Sequence, residues 1–257
     1  MNQLLRKVPQ VTALFWVVKL LTTAFGESTT DYLVKVIDPV VAVVFGAIAL
    51  AAALLLQFRA RRYIAWIYWL AVVMVAVFGT MAADVTHIVL GVPYLFSTIF
   101  FAVALALVFI VWYRVEHTLS IHSITTPRRE TFYWATVLAT FALGTAAGDF
   151  TAFTLHLGFL ASGVLFGVAF AVPAVLYYGF RFGEVLCFWF AYIVTRPLGA
   201  SFADWFGKPV SLRGLGYGDG PVVAVLTLAL VAVVAYFTIT RADVNPETTR
   251  PAFARHG

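Results

Sequence analysis

The sequence predicts an all-α integral membrane protein, with eight transmembrane helices arranged as four parallel two-helix repeats related by pseudo-symmetry about the membrane normal. Three observations predict it. First, the 257 residues are 62% hydrophobic and only 11% charged, with a mean hydropathy of +0.94, where soluble domains carry about 25% charged residues. Second, a hydrocarbon core of roughly 30 Å takes about 20 apolar residues in helical form. Eight stretches qualify, at approximately 10–32, 38–58, 63–87, 93–113, 131–153, 158–180, 184–206 and 220–240. Third, one pattern recurs four times without a gap: an aromatic–Trp pair, then Gly ten residues after the Trp, then Asp five residues after the Gly. The copies are Phe15-Trp16…Gly26…Asp31, Tyr68-Trp69…Gly79…Asp84, Tyr133-Trp134…Gly144…Asp149 and Phe188-Trp189…Gly199…Asp204. A repeat of about this length is the unit from which a fold is stacked.

The chain divides into repeats at approximately 8–62, 63–114, 128–182 and 183–241, followed by a polar cytoplasmic tail at 242–257. In each repeat an odd helix carries the Trp, Gly and Asp, and a plain apolar helix returns. Pro39, Pro93 and Pro221 stand where the even helices begin, a position that tolerates proline, and Asp38 and Asp219 are candidate N-caps. Even helices end in clusters such as Gln57-Phe58-Arg59, Trp112-Tyr113-Arg114 and Tyr178-Gly179-Phe180-Arg181, read as interfacial anchors. An even number of spans per repeat makes the repeats parallel, not inverted. From Arg241 onward, with Pro246 and Pro251, disorder is expected.

Basic residues set the orientation. Arg6, Lys7, Arg59, Arg61, Arg62, Arg114, Arg128, Arg129, Arg181, Arg241, Arg250 and Arg255 fall on one side and only Lys35, Lys208 and Arg213 on the other, so the positive-inside rule places both termini in the cytoplasm. The net charge of +5 is thereby explained by topology, and no nucleic-acid partner is expected. The partners expected are the lipid bilayer and a small ion or solute, with the protein a monomer or homodimer. Cys187 is the one cysteine and forms no intrachain disulfide.

On a wheel of about 100° per residue, Trp16, Lys19, Thr23, Gly26, Glu27 and Asp31 share one face. Trp69, Gly79 and Asp84 do so in repeat two, and Trp189, Arg196, Gly199 and Asp204 in repeat four. An ionisable group facing lipid costs roughly 3 kcal/mol or more, so this face must look into the bundle or a wet cavity. Gly26, Gly79, Gly144 and Gly199 read as helix-packing positions. Trp16, Trp69, Trp134 and Trp189 read as packing or anchoring residues.

The candidate transport path is Lys19, Glu27, Asp31, Asp84, Asp149, Arg196 and Asp204. The four aspartates either end their helices by bonding the next turn or converge as an outward-facing cation ring. Asp84 and His87 are three apart on one face and His156 follows Asp149 by seven, so Asp84, His87, Asp149 and His156 form a candidate metal set, mixed imidazole and carboxylate ligands suiting a divalent transition metal. Lys19 and Arg196 break the repeat, standing where the other copies carry Val72, Val137, Tyr192 and Thr23, Ala76, Phe141. Glu27 lies about 6 Å outward of the Arg196 level at 1.5 Å per residue, which predicts a Glu27–Arg196 bridge. Pro197 is expected to kink its helix. Five acids against two cations on this face make a cation the natural guest.

These features lead to the expectation of a small-solute transporter, with a cation, plausibly a divalent metal, as cargo and no resident cofactor. A passive ion channel and a membrane-embedded enzyme using an Asp/His pair as acid and base are the alternatives. No nucleophile motif or cofactor fingerprint supports the enzyme. The outer Gly216-Tyr217-Gly218-Asp219 is similar to a potassium-channel filter, but it occurs once, and a flexible turn is the simpler reading.

The four tandem repeats, each with its aromatic–Trp pair, Gly and Asp, resemble a bacterial family of uncharacterised membrane proteins built from four copies of a repeat of unknown function. The resemblance runs from Phe15 to Arg241. It implies eight transmembrane helices and a bacterial inner-membrane location, and brings no catalytic or binding residues with it.

Overall fold

The computed structural model describes residues 6–244, which form eight long helices and no strand. They are α1 (Ala13–Val36), α2 (Pro39–Arg59), α3 (Ala65–Asp84), α4 (Tyr94–Glu116), α5 (Pro127–Asp149), α6 (Gly158–Phe180), α7 (Glu184–Gly207) and α8 (Asp219–Thr240). By length and composition, seven are long and apolar enough to cross a membrane. The exception is α1, which carries Lys19, Glu27, Asp31 and Lys35. With the large exposed apolar side chains lying mainly on the even helices, such as Val40, Phe45, Phe96 and Val168, this is the pattern of a multi-pass membrane protein.

Helix starts follow local chemistry. Asp38 caps α2, accepting from the N–H groups of Val40 (2.9 Å) and Val41 (3.2 Å), and Pro39 is its first residue. Asp219 is not a cap, because Gly218 holds that position and the Asp219 carboxylate pairs with Lys35 instead. The repeat aspartates do not terminate their helices. α1 runs on past Asp31, α7 runs past Asp204 and through Pro197, and α3 and α5 continue after Asp84 and Asp149 as π-helical turns, Val85–Val89 and Phe150–Thr154.

The odd helices α1, α3, α5 and α7 make a closed ring, each packed on the next and α7 on α1. The even helices stand outside it. α2 packs on α3, α4 on α5, α6 on α7 and α8 on α1, whereas the two helices of any one repeat scarcely touch. A repeat is therefore not a self-contained hairpin. Each outer helix covers a groove between two ring helices, and the repeat tryptophans fill those grooves. Trp16 meets Phe170 of α6 at 5.6 Å between ring centroids, Trp69 meets Phe237 of α8 at 6.4 Å, and Trp189 meets Phe109 and Trp112 of α4 at 5.2 and 5.7 Å. Trp16, Trp69 and Trp189 thus pack the outer helices onto the ring.

One contact recurs at all four ring joints. A Cβ built on Gly26 would lie 2.6 Å from Ala76 Cβ, one on Gly79 2.7 Å from Phe141 Cβ, one on Gly144 2.5 Å from Arg196 Cβ, and one on Gly199 2.8 Å from Thr23 Cβ. In each case the glycine of one repeat faces the residue seven beyond the Trp of the next. Small residues allow this approach, and close backbone packing is the main adhesive between helices in lipid.

Some expected surface features turn inward. Gln57 is buried and donates to Glu130 (2.9 Å), which also accepts from buried Lys7 (2.5 Å). Trp112 is fully enclosed against Phe132 and Trp189. Buried polar groups need partners, and the Lys7–Gln57–Glu130 cluster supplies them, so neither Gln57 nor Trp112 is an interfacial anchor. The chain after α8 is docked as far as it is described: Asp243 is buried, accepts from Gln10 N–H (3.0 Å) and from the Tyr63 hydroxyl. Pro246, Arg250, Pro251 and Arg255 lie outside the described residues.

The glycine-rich segment 205–220 folds back onto the end of α7. N–H groups of Leu215, Tyr217 and Gly218 donate to the carbonyls of Trp205 (2.6 Å), Phe206 (3.1 Å) and Gly207 (3.1 Å), satisfying acceptors that a helix end otherwise leaves open. Gly216 and Gly218 adopt φ of +78° and +83°, where glycine is at ease. This segment caps a helix and lines no filter.

Candidate functional site

Inside the ring the repeat pattern becomes a stack of layers. At one end lie Phe15, Tyr68, Tyr133 and Phe188. Next come Lys19, Val72, Val137 and Tyr192, then Thr23, Ala76, Phe141 and Arg196, then Glu27, Thr80, Thr145 and Ala200. All of these are buried. The last layer, Asp31, Asp84, Asp149 and Asp204, opens outward: only Asp204 is fully buried, and the Asp31 and Asp149 side chains are each 16% exposed. The inward face expected from the wheel is the buried face, and it becomes wetter toward the aspartates.

Arg196 closes the stack. Its Nη2 lies 2.6 Å from Glu27 Oε2, 2.6 Å from Thr145 Oγ1 and within hydrogen-bond reach of Thr80 Oγ1, three acceptors that share the two hydrogens of that nitrogen. Glu27, Thr80 and Thr145 occupy one and the same repeat position, the residue after the Gly, so three ring helices converge on a cation from the fourth. Each threonine hydroxyl donates back to its own helix, Thr80 to the Ala76 carbonyl and Thr145 to that of Phe141, which leaves its lone pairs for the guanidinium. The expected Glu27–Arg196 bridge is present. The two threonines could have been found with it, since they align with Glu27. Nε and Nη1 of Arg196 have no hydrogen-bond partner among the described residues.

One layer further in, the Lys19 ammonium is buried without a hydrogen-bond partner among the described residues. Its Nζ lies 3.9 Å from the centroid of the Phe141 ring and 4.2 Å from that of Tyr192, a cation–π sandwich worth about 2 kcal/mol when desolvated.

At the aspartate end of the ring, carboxylate oxygens of Glu27, Asp31 and Asp204 lie within 4.8 Å of one another. Between the two aspartates stands a residue that sequence reasoning missed: Lys208 Nζ is 2.5 Å from Asp31 Oδ2 and 3.7 Å from Asp204 Oδ1. Burial works against the Lys208 charge, yet Asp204 and Asp31 outweigh it and raise its pKa above the ordinary lysine value. Lys208 lies outside the repeat pattern, so only its i, i+4 spacing from Asp204 hinted at this. Asp84 is within electrostatic reach of Glu27, Asp149 and Asp31. Asp31 and Asp204 thus share Lys208, and Asp149 faces His87 of the neighbouring repeat.

The candidate metal set does not assemble as drawn. The π turn after Asp84 changes the helical phase, so His87 leaves Asp84 and approaches the neighbouring helix, with Nε2 3.9 Å from Asp149 Oδ2 and Nδ1 3.1 Å from Ser97 Oγ. His156 is exposed, has φ +56°, and makes no ion pair among the described residues. The π turn of α5 carries it off the Asp149 face. The carboxylates able to share one cation are Glu27, Asp31 and Asp204, oxygen donors of the kind hard cations take.

A family model described as "Repeat of Unknown Function (DUF347)" matches residues 14–63, 67–118, 132–182 and 187–243. The chain belongs to this family. Each DUF347 match begins two residues before its Trp and takes in the Gly, the Asp and the outer helix, so the family's unit is the one whose glycines and tryptophans build the ring. No curated protein and no solved structure matches the chain.

Proposed function

We propose that this DUF347 protein is a carrier of a small cation, with divalent metals as the first candidates, in the bacterial inner membrane. In this reading all eight helices span the bilayer, α1 shielded from lipid by its neighbours, with both termini cytoplasmic. The four repeats are parallel about an axis along the membrane normal, which is the axis of the ring. The aspartate layer is the outer vestibule and the Arg196 lock is the inner gate.

The observation that carries the reading is the convergence of acids from all four repeats at one end of a ring that is sealed below them. Lys208 adds support, because a tethered ammonium already rests where a cation would be held. A carrier fits better than an open channel: Arg196, the Lys19 sandwich and the aromatic layer fill the axis, so passage requires a rearrangement. The test is cation flux into proteoliposomes across alkali and divalent ions, for the native chain and for Asp84→Asn and Asp149→Asn. Flux that both substitutions reduce is expected. Absence of flux for every cation, or flux that neither substitution alters, would overturn the reading.

A further inference from the structure

Where α6 begins beside the end of α7, the two helices leave a surface groove of about 530 Å³, a volume within the range of ligand sites. Farther along they pack closely: a Cβ on Gly163 would lie 3.3 Å from the Phe202 ring, and one on Gly167 3.8 Å from Leu198. The groove is walled by Leu157, Leu160, Ala161 and Val164 on one side and Trp205 on the other, with Arg213 at its edge. Both helices are long and apolar enough to cross a membrane, and an apolar groove at the end of two such helices takes hydrocarbon in preference to water.

Arg213 gives this groove its charge. Of the basic residues at the aspartate end, Lys35 is paired with Asp219, and Lys208 with Asp31 and Asp204. Arg213 is exposed, with neither an ion pair nor a side-chain hydrogen bond among the described residues. Its backbone is nevertheless fixed. The 3-10 turn Val210–Leu212 ends on Arg213 at φ +65°, and the Arg213 N–H donates to the Val210 carbonyl at 2.9 Å. A Cβ on Gly158 would lie 3.6 Å from Arg213 Cδ, so the aliphatic stem rests on the first residue of α6 while the charged head remains at the surface. A planar guanidinium there matches phosphate oxygens two at a time.

We infer that this groove is a phospholipid site, with the lipid phosphate on Arg213 and an acyl chain along Leu157, Leu160, Val164 and Trp205. The occupant must carry both halves. An apolar groove alone takes any hydrocarbon, and one exposed arginine holds a free anion weakly in water. Trp205 follows Asp204 directly, and its carbonyl accepts from the Leu215 N–H at 2.6 Å, so a lipid seated against Trp205 braces the end of α7 next to Asp204 and Lys208. The site does not depend on what the ring carries.

The experiment titrates the full chain in detergent with three probes and reads the first saturable adduct by native mass spectrometry. The probes are dioleoylphosphatidylglycerol, dioleoylglycerol, which has the same chains and no phosphate, and glycerol 1-phosphate, which has no chains. Dioleoylphosphatidylglycerol should bind at least about tenfold more tightly than either of the others, and Arg213→Gln should weaken it by roughly the same factor. Val164→Trp, at an exposed position in the groove wall, should weaken it too by filling the space of the acyl chain. Dioleoylglycerol bound as tightly as the phospholipid would reduce the site to a groove for any hydrocarbon, and glycerol 1-phosphate bound as tightly would reduce it to an anion site. Either result overturns the inference, as does unchanged phospholipid binding by Arg213→Gln or by Val164→Trp.

Discussion

Arg196 Nη2 donates to Glu27 Oε2 across 2.6 Å, and both groups are almost fully withdrawn from solvent. Removing one partner of such a pair leaves an uncompensated buried charge, at a cost of about 3–5 kcal/mol, whereas removing both is often neutral. Glu27→Gln and Arg196→Met should each lower thermal stability in detergent by about that amount, and the double variant should recover much of it. A double-mutant cycle on unfolding midpoints checks this. Thr80→Val and Thr145→Val should each cost about 1–3 kcal/mol, since Arg196 then loses an acceptor.

The glycine joints make a prediction that separates backbone crowding from side-chain crowding. A Cβ at Gly26 would lie 2.6 Å from Ala76 Cβ and 2.9 Å from the Ala76 carbonyl carbon, atoms that cannot step aside. At Gly46 it would meet the Met81 Sδ at 2.9 Å, part of a flexible side chain. Gly26→Ala should destabilise by about 1–3 kcal/mol, while Gly46→Ala should be nearly neutral. Thermal unfolding of the two variants side by side decides it.

Lys208 supplies the pH dependence. Its folded pKa is raised above the unfolded value by Asp204 and Asp31, in spite of burial. The stability it contributes is therefore fully present below the ordinary lysine pKa and is lost as pH rises through the higher folded value. Above the ordinary lysine pKa the native protein should therefore lose stability that Lys208→Gln does not, so that the unfolding midpoints of the two converge up the alkaline limb. The same substitution should strengthen divalent-cation binding at Glu27, Asp31 and Asp204, read by calorimetry, because the tethered ammonium no longer competes.

Much of this was legible because the repeat is exact. Trp, Gly and Asp at fixed spacing placed one buried face on four helices, and the departures from the repeat, Lys19, Glu27 and Arg196, are the charged groups at its centre. What the sequence hid were features set by topology. That α2 packs on α3 in preference to α1 follows from how grooves are covered in three dimensions, which no periodicity records. His87 and His156 were misplaced because a π turn inserts a phase change that a regular wheel cannot show. Lys208 was missed because a loop folding back on its own helix decides where the ammonium points, and Gln57 and Trp112 were read as anchors although their partners, Glu130 and Trp189, arrive from distant segments.

The central claim is that the four Trp-bearing helices enclose a vestibule open at the aspartates and closed at Arg196. Cysteine accessibility measures it directly. In a Cys187→Ser background, single cysteines at Asp84 and at Val72 are exposed to a membrane-impermeant thiol reagent in intact, right-side-out cells. The account predicts rapid labelling at position 84 from outside and none at position 72. Equal protection of both positions, or labelling at 72 as fast as at 84, would contradict it.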